Sequence, residues 1–347
     1  MELTKKRLFE MVTGYQTTAL LRTGLEIGVF DALADGPTDA ATVAGRLGID
    51  RRACTTLLAC LALQGLLIRD GSRFALGPGV RELLVSTEPS YAGGIHRVAA
   101  GAMEWQALGR LAEAVRHGGP LDGFDSTVPD FPYWHDFAAT GTFATDRLAA
   151  MVADALAATT AERPGPRILD VGCGSAAVGI ELAARHPGAR LWAQDWPTVL
   201  AVAEERAKER GVHDRTTLLP GDAFGIPLGG PYDVIVAANL LFHFSPERAV
   251  LLLERLAGSL APEGSLVIAG FAAGEAAPAE ELRAQLLDLM MLCTTPGGQM
   301  HSTDAYTRML TAVGLTEHEI HTRPGFPPKV MVATRPRGAD LSGPHDQ

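Results

Sequence analysis

RILDVGCGSAAVGIELAA, residues 167–184, reads as a buried strand (Ile168, Leu169, Val171), a glycine turn (Gly172, Gly174) and a helix carrying Ile180, Leu182 and Ala183. Asp170 sits at the strand's end. A strand that stops in Asp-x-Gly-x-Gly and restarts as a helix presents backbone N–H groups and a bare main chain, because glycine has no Cβ to hold a ligand away. That geometry suits a nucleotide or nucleoside, although a strand, glycine and helix can also turn this way for tight packing alone.

The pattern continues downstream. Strand-like runs at 190–194, 216–219, 233–237 and 265–271 alternate with helical segments, which predicts a parallel, doubly wound, Rossmann-like α/β sheet. Two further runs, 315–322 and 329–334, flank RPGFPP and are expected to close the sheet as an antiparallel hairpin. A dinucleotide dehydrogenase would instead continue into a second βαβαβ half.

Upstream, residues 3–33 have helical spacing and stop at Asp35-Gly36-Pro37. Two short helices at 40–47 and 51–64 and a hairpin turning at Asp70-Gly71 then give a winged-helix pattern. Eleven Lys/Arg face ten Asp/Glu over residues 1–100, and the second helix turns apolar after Arg51 and Arg52, so packing or dimerisation is favoured over DNA binding. Residues 90–158 read as helical around the loop 118–132. Tyr133, Trp134, His135, Phe137 and Phe143 make this the most aromatic part of the chain, as core or as ligand box.

The net charge of −10 over 347 residues argues against a general nucleic-acid binder. No apolar run approaches membrane-spanning length, and MELTKKRLFEMV lacks the apolar core of a secretion signal. Cys54, Cys60, Cys173 and Cys293 lack metal-ligand spacing, so reduced thiols in a cytoplasmic protein are expected.

Three strand ends carry carboxylates. Asp195 follows Gly172 by just over twenty residues, where it can accept both ribose hydroxyls, or merely cap the next helix. Asp222 can accept from an adenine amino group while Phe224 packs on the ring. Asn239 is placed to line the amino-acid end of a ligand. With Asp170, Asp195 and Asp222 on one rim the site is acidic, which favours a cation over a bare pyrophosphate. S-adenosylmethionine (SAM), a sulfonium with an ammonium group, meets that requirement.

With those residues in hand, the chain resembles the two-domain, SAM-dependent small-molecule O-methyltransferases of the plant caffeic-acid and bacterial polyketide-tailoring type. The resemblance runs through LEIGVFDAL, LLACLALQGLL, LDVGCGSA, QDWP, PGDAF, FHFSPERAVLLLERLAGSLAPEGSLVIAG and TTPGGQMHSTDAYTRMLTAVGL. It implies a homodimer, with SAM held by Asp170, Gly172, Gly174, Asp195, Trp196, Asp222, Phe224 and Asn239. It also implies a dimerising winged helix over 1–100, a helical connector lining the substrate pocket over 101–163, the SAM-binding domain over 164–335 and a disordered tail over 336–347. Ala176 replaces a third glycine of many members, a change that costs little if the backbone there is helical.

The catalytic positions depart from the family. Aligning Phe244-Ser245 with the Trp-Ser of its His-Asp-Trp-Ser segment puts Phe242 at the general base, and Gly270 and Met300 at the two glutamates. His243 and His301 stand one residue beyond, as a replacement base, as ligands sharing a metal, or as a polar pair facing elsewhere. A sulfonium methyl group does not always need a base, because aligning donor and acceptor supplies much of the rate and an acidic acceptor ionises unaided. The expected function is methylation of a small, aromatic or polyketide-like metabolite, of the secondary-metabolism and antibiotic-biosynthesis kind. Oxygen leads carbon as acceptor, and Trp134, Phe137, Met151, Phe242, Met290, Met291 and Met300 are the expected pocket wall. The alternative is a SAM-binding enzyme of this fold that catalyses hydroxylation or rearrangement.

Overall fold

The computed structural model describes residues 2–140, 144–161, 163–274 and 278–335. Phe143 and the expected tail lie outside the described residues. The chain forms two compact units, one reaching to Glu104 and the other beginning at Trp105.

The first unit opens with the helix Lys5–Glu26, whose N-terminus is capped by Thr4. Asp39 accepts from the Ala41 and Thr42 N–H groups to start the helix Ala40–Leu47, and Asp50 accepts from the Ala53 N–H to start Arg51–Leu63. Strand β1 (Thr38–Asp39) pairs with β3 (Arg73–Leu76), which pairs with β2 (Leu67–Asp70). The Asp70↔Arg73 pairing leaves a two-residue hairpin loop, and Gly71, at φ +57°, takes the left-handed conformation that loop requires. Val29, Phe30, Val43, Leu58, Leu61 and Phe74 form its core.

The second unit is built on a sheet of seven strands. They are β4 (Arg167–Val171), β5 (Arg190–Asp195), β6 (Thr216–Pro220), β7 (Tyr232–Ala238), β8 (Leu260–Gly270), β9 (Glu317–Arg323) and β10 (Phe326–Thr334), in the order β6-β5-β4-β7-β8-β10-β9. The first five are parallel, and β10 and β9 add antiparallel. Alternation divides the core in two: Ile168, Ala193, Val234, Val236 and Val267 belong to one apolar layer, and Leu169, Val171, Ile235, Leu266 and Ile268 to the other. Each of these valine, leucine and isoleucine side chains contributes about 1.5–3 kcal/mol of transfer free energy, and burial on both faces is why these strands read as continuous apolar runs.

From β4 the chain winds outward to β5 and β6, then returns to β7 on the other side of β4. The loops leaving β4 and β7 therefore diverge and open a crevice at the carboxyl ends of the strands.

Two expectations change. Ala176, before the helix Ala177–Arg185, is not helical: it stands at φ +52° and ψ 29°, fully buried. The helix must turn sharply out of the glycine loop, and the turn falls on a residue with a Cβ. Met151, expected in the pocket wall, is buried with Leu148 and Val152 in one layer of the sheet core, and of these three only Leu148 lines the cavity described below. Left-handed alanine costs about 1–2 kcal/mol, against about 0.5–1 kcal/mol for the extra unfolded-chain freedom of glycine. Ala176→Gly is therefore expected to raise stability by up to about 1 kcal/mol in urea unfolding; a loss of stability would show that the methyl group's packing outweighs the strain.

Candidate functional site

Gly172 and Gly174 take left-handed backbone at φ +59° and +55° in the loop leaving β4. A Cβ on Gly174 would meet no protein atom within 4 Å, so the loop is bare on that side. Asp195, at the end of β5, accepts from the Gly174 N–H at 2.8 Å and from the Trp196 N–H at 2.7 Å. Asp170 accepts from the Gly179 N–H at 2.9 Å, and Asp222 from the Phe224 N–H at 2.9 Å. All these residues except Gly179, together with Asn239, line one cavity at the sheet's carboxyl rim.

Burial pushes the Asp170 carboxyl up to about 7, aided by the nearby Asp195 charge and opposed by the Gly179 N–H. Burial likewise raises Asp195 to about 6, against the Gly174 and Trp196 N–H groups. Burial drives the Cys173 thiol well above its usual range, with Asp195 and Asp170 adding to the effect, so it is a poor nucleophile. A desolvated carboxylate pair without a cation is an unfavourable arrangement that a positively charged ligand relieves.

At one end, Phe224 and Phe244 meet edge to face at 5.0 Å, with the Arg248 guanidinium 4.6 Å above Phe224. Elsewhere on the wall stand Trp134 and Phe137, their rings 5.9 Å apart. The Trp134 indole N–H donates to the Ser126 carbonyl at 2.7 Å, and the Ser126 hydroxyl and N–H both donate to the Thr294 carbonyl. Those bonds hold an aromatic face over the cavity.

The remaining expected wall residues lie elsewhere. Phe242, Met291 and Met300 are buried together, with Met290 packed against them, in a separate apolar cluster that does not line the cavity. Phe242 leaves the cavity wall because the short helical turn Leu241–His243 directs it to that cluster and sets His243 in the wall instead. His301 is buried outside the cavity lining, its Nε2 3.2 Å from the Phe244 carbonyl and its ring against Tyr306. His243 packs against Trp134 at 4.9 Å and Phe242 at 4.7 Å. Burial pulls its imidazole down to about 4, with the Asn239 main chain acting in the opposite sense, so it is neutral at physiological pH. Among the described residues no three His, Cys, Asp or Glu side chains converge as a metal centre requires.

Sequence reasoning missed Gln194, Ser126 and Arg248. Gln194 is buried on β5, donates to the Gly221 carbonyl at 2.6 Å and accepts from the Gly172 N–H at 3.3 Å, joining three strand ends. Its signal was a lone amide in an apolar strand, one residue before Asp195. Ser126 and Arg248 gave none, because their partners are distant in sequence.

The residues fit an adenosyl cation: acceptors sit at successive strand ends, a bare glycine loop lies between them, aromatic faces stand beside Asp222, and among the described residues no basic side chain pairs with Asp170 or Asp195. An O-methyltransferase domain model matches residues 139–316, and an O-methyltransferase dimerisation domain model matches residues 9–85. The chain is 30% identical over 322 residues to the 3-hydroxy-5-methyl-1-naphthoate 3-O-methyltransferase of Streptomyces sahachiroi, covering 89% of each. It is also 30% identical over 353 residues to the acetylserotonin O-methyltransferase of Mus musculus molossinus, covering 96% of this chain and 89% of that one. Its fold matches human N-acetylserotonin methyltransferase in complex with SAM at a TM-score of 0.77, with 22% identity and coverage of 96% and 98%. With a rim built for an adenosyl cation and family matches across both units, the chain belongs to the two-domain, SAM-dependent O-methyltransferases.

Proposed function

We propose that this enzyme methylates an oxygen of a small, planar, aromatic or polyketide-like secondary metabolite, as a homodimer. The observation that carries the proposal is the continuity of one cavity from the carboxylate rim to the Trp134 and Phe137 rings. The hydroxynaphthoate and acetylserotonin relatives also act on bicyclic aromatic compounds. Nothing observed favours the hydroxylation or rearrangement alternative.

When bound, SAM supplies an electrophilic methyl group whose transfer cancels the sulfonium charge. In our reading Asp195 accepts the ribose hydroxyls, Gly172 and Gly174 let the adenosyl chain lie against the main chain, and Asp222 with Phe224 takes the adenine. Trp196 flanks the nucleoside, and Asp170 provides negative potential from beneath the loop. Trp134 and Phe137 hold the acceptor's plane and exclude water.

On the helix Lys5–Glu26, Leu8, Phe9, Met11, Val12 and Tyr15 are each more than half exposed. An apolar stripe of this kind within the matched dimerisation region supports a second copy as its partner. Among the described residues no helix is long and apolar enough to cross a membrane, and residence in the cytoplasm without nucleic-acid partners is part of the proposal.

Two outcomes are expected. Asp170 and Asp195 have folded-state pKa values raised to about 7 and about 6. Their contribution to the ligand-free fold is therefore greatest at low pH and declines as pH rises through 6 to 7. A cation binds their ionised forms, so SAM affinity should rise over the same interval. Calorimetry at about pH 5.5 and about pH 8 should show roughly tenfold tighter binding at the higher pH, and Asp195→Asn should weaken SAM by about 10-fold or more. Identical affinities at both pH values would remove these carboxylates from the cation's surroundings. Separately, Phe9→Glu with Val12→Glu should convert a dimer to a monomer in light scattering, and an unchanged dimer mass would place the interface elsewhere.

A further inference from the structure

Residues 118–132 run without helix or strand between the helices Leu111–His117 and Tyr133–Thr140. Midway along them Ser126 is buried, with its N–H, hydroxyl and carbonyl all engaged. The N–H and hydroxyl donate to the Thr294 carbonyl at 2.7 and 2.8 Å, and the Ser126 carbonyl accepts from the Trp134 indole N–H at 2.7 Å. Thr294 is the last residue of the helix Pro278–Thr294, where carbonyls have no donor within the helix. One serine therefore closes a helix end and fixes an indole, across a separation of 168 residues.

This clasp decides what Trp134 can offer a ligand. The one polar atom of its side chain is engaged by Ser126, so only the ring is left to face the cavity. Three described rings touch it: Tyr133 at 5.0 Å and 74°, Phe137 at 5.9 Å and 76°, and His243 at 4.9 Å and 83°. All three meet it steeply, and none of them lies parallel to it. The neighbouring wall hydroxyl is engaged too, since Thr127 donates its N–H and Oγ1 to Asp125 at 2.8 and 2.6 Å. This part of the wall presents a fixed aromatic plane, and offset stacking on such a plane suits a flat ring.

We propose that Ser126 is a positioning residue for the methyl acceptor: through its clasp on Thr294 it sets the Trp134 plane, and that plane selects fused, flat ring systems over non-planar ones of the same skeleton. The proposal rests on the methyl-transfer reading above and narrows its acceptor class. Without the Ser126 hydroxyl the segment keeps Leu121 and Phe124 packed with Ala114 and Cys293, and Asp130 accepts from the Thr198 hydroxyl at 3.0 Å. The segment then loosens without unfolding. A plane that is no longer fixed costs ligand binding the entropy of ordering it, so affinity for a flat ring falls.

The test measures binding to the S-adenosylhomocysteine complex of the full chain, with 2-naphthol as the flat probe and decahydro-2-naphthol as its saturated, non-planar counterpart. 2-Naphthol is expected to bind at least about fivefold more tightly than the saturated alcohol. Ser126→Ala and Trp134→Phe should each weaken 2-naphthol by about fivefold, and the double variant also by about fivefold rather than about 25-fold, because both changes act on one plane. Trp134 emission, taken as the difference between wild type and Trp134→Phe, should be less open to acrylamide than the corresponding difference between Ser126→Ala and the double variant. All three variants should keep the wild-type heat of S-adenosylhomocysteine binding. Equal affinity for the two bicyclic alcohols, no binding of 2-naphthol, an unaffected Ser126→Ala, multiplied effects in the double variant, or unchanged acrylamide access would each overturn the proposal. Loss of the S-adenosylhomocysteine heat in Ser126→Ala would overturn it too, since the serine would then support the whole fold. Absence of that heat on folded wild-type protein would instead overturn the methyl-transfer reading itself.

Discussion

Desolvated negative charge at the carboxyl rim of the sheet is the constraint to which the second unit answers. Burial raises the proton affinity of both Asp170 and Asp195, the Asp195 charge adds to the effect at Asp170, and each is held by main-chain N–H groups. Among the described residues no lysine or arginine forms an ion pair with either of them. Main-chain dipoles stabilise carboxylates without filling the site, so the missing counter-charge is left for a cation to bring. The glycine loop, the Gln194 amide joining three strand ends, and the strain at Ala176 serve the same geometry: main chain must pass close beneath the ligand and then turn at once into a helix.

The acceptor side follows the opposite logic. Phe242 and Met300, at the positions where family resemblance puts ionisable groups, lie in an apolar cluster, and Gly270 is closed in by the Asn239 side chain. In the proposed reading a charged rim for the donor stands beside an aromatic, apolar wall for the acceptor. The donor needs ionic complementarity, whereas the acceptor needs alignment and dryness, because its reaction cancels charge as it proceeds.

The N-terminal unit has a simpler physics. Its core of Val29, Phe30, Leu58, Leu61 and Phe74 is well buried, while the first helix leaves a row of apolar side chains to solvent. A helix of 22 residues with so little of its own surface buried depends on further packing for its stability.

The amino-acid sequence by itself determined the local elements. The five parallel strands, the closing hairpin, the two capped helices with their hairpin and the acidic strand ends were legible because each depends on periodicity, glycine placement or caps within a few residues. Tertiary structure alone decided which way side chains point where regular elements end. The turn after β7 carried His243 into the cavity wall and Phe242 out of it, and Met151 went into the sheet core. His301 found the Phe244 carbonyl, and Ser126 found Thr294, across separations no local pattern encodes. At the end of a strand, one residue of shift or one left-handed dihedral reverses a side chain, and only packing from distant parts of the chain selects the outcome.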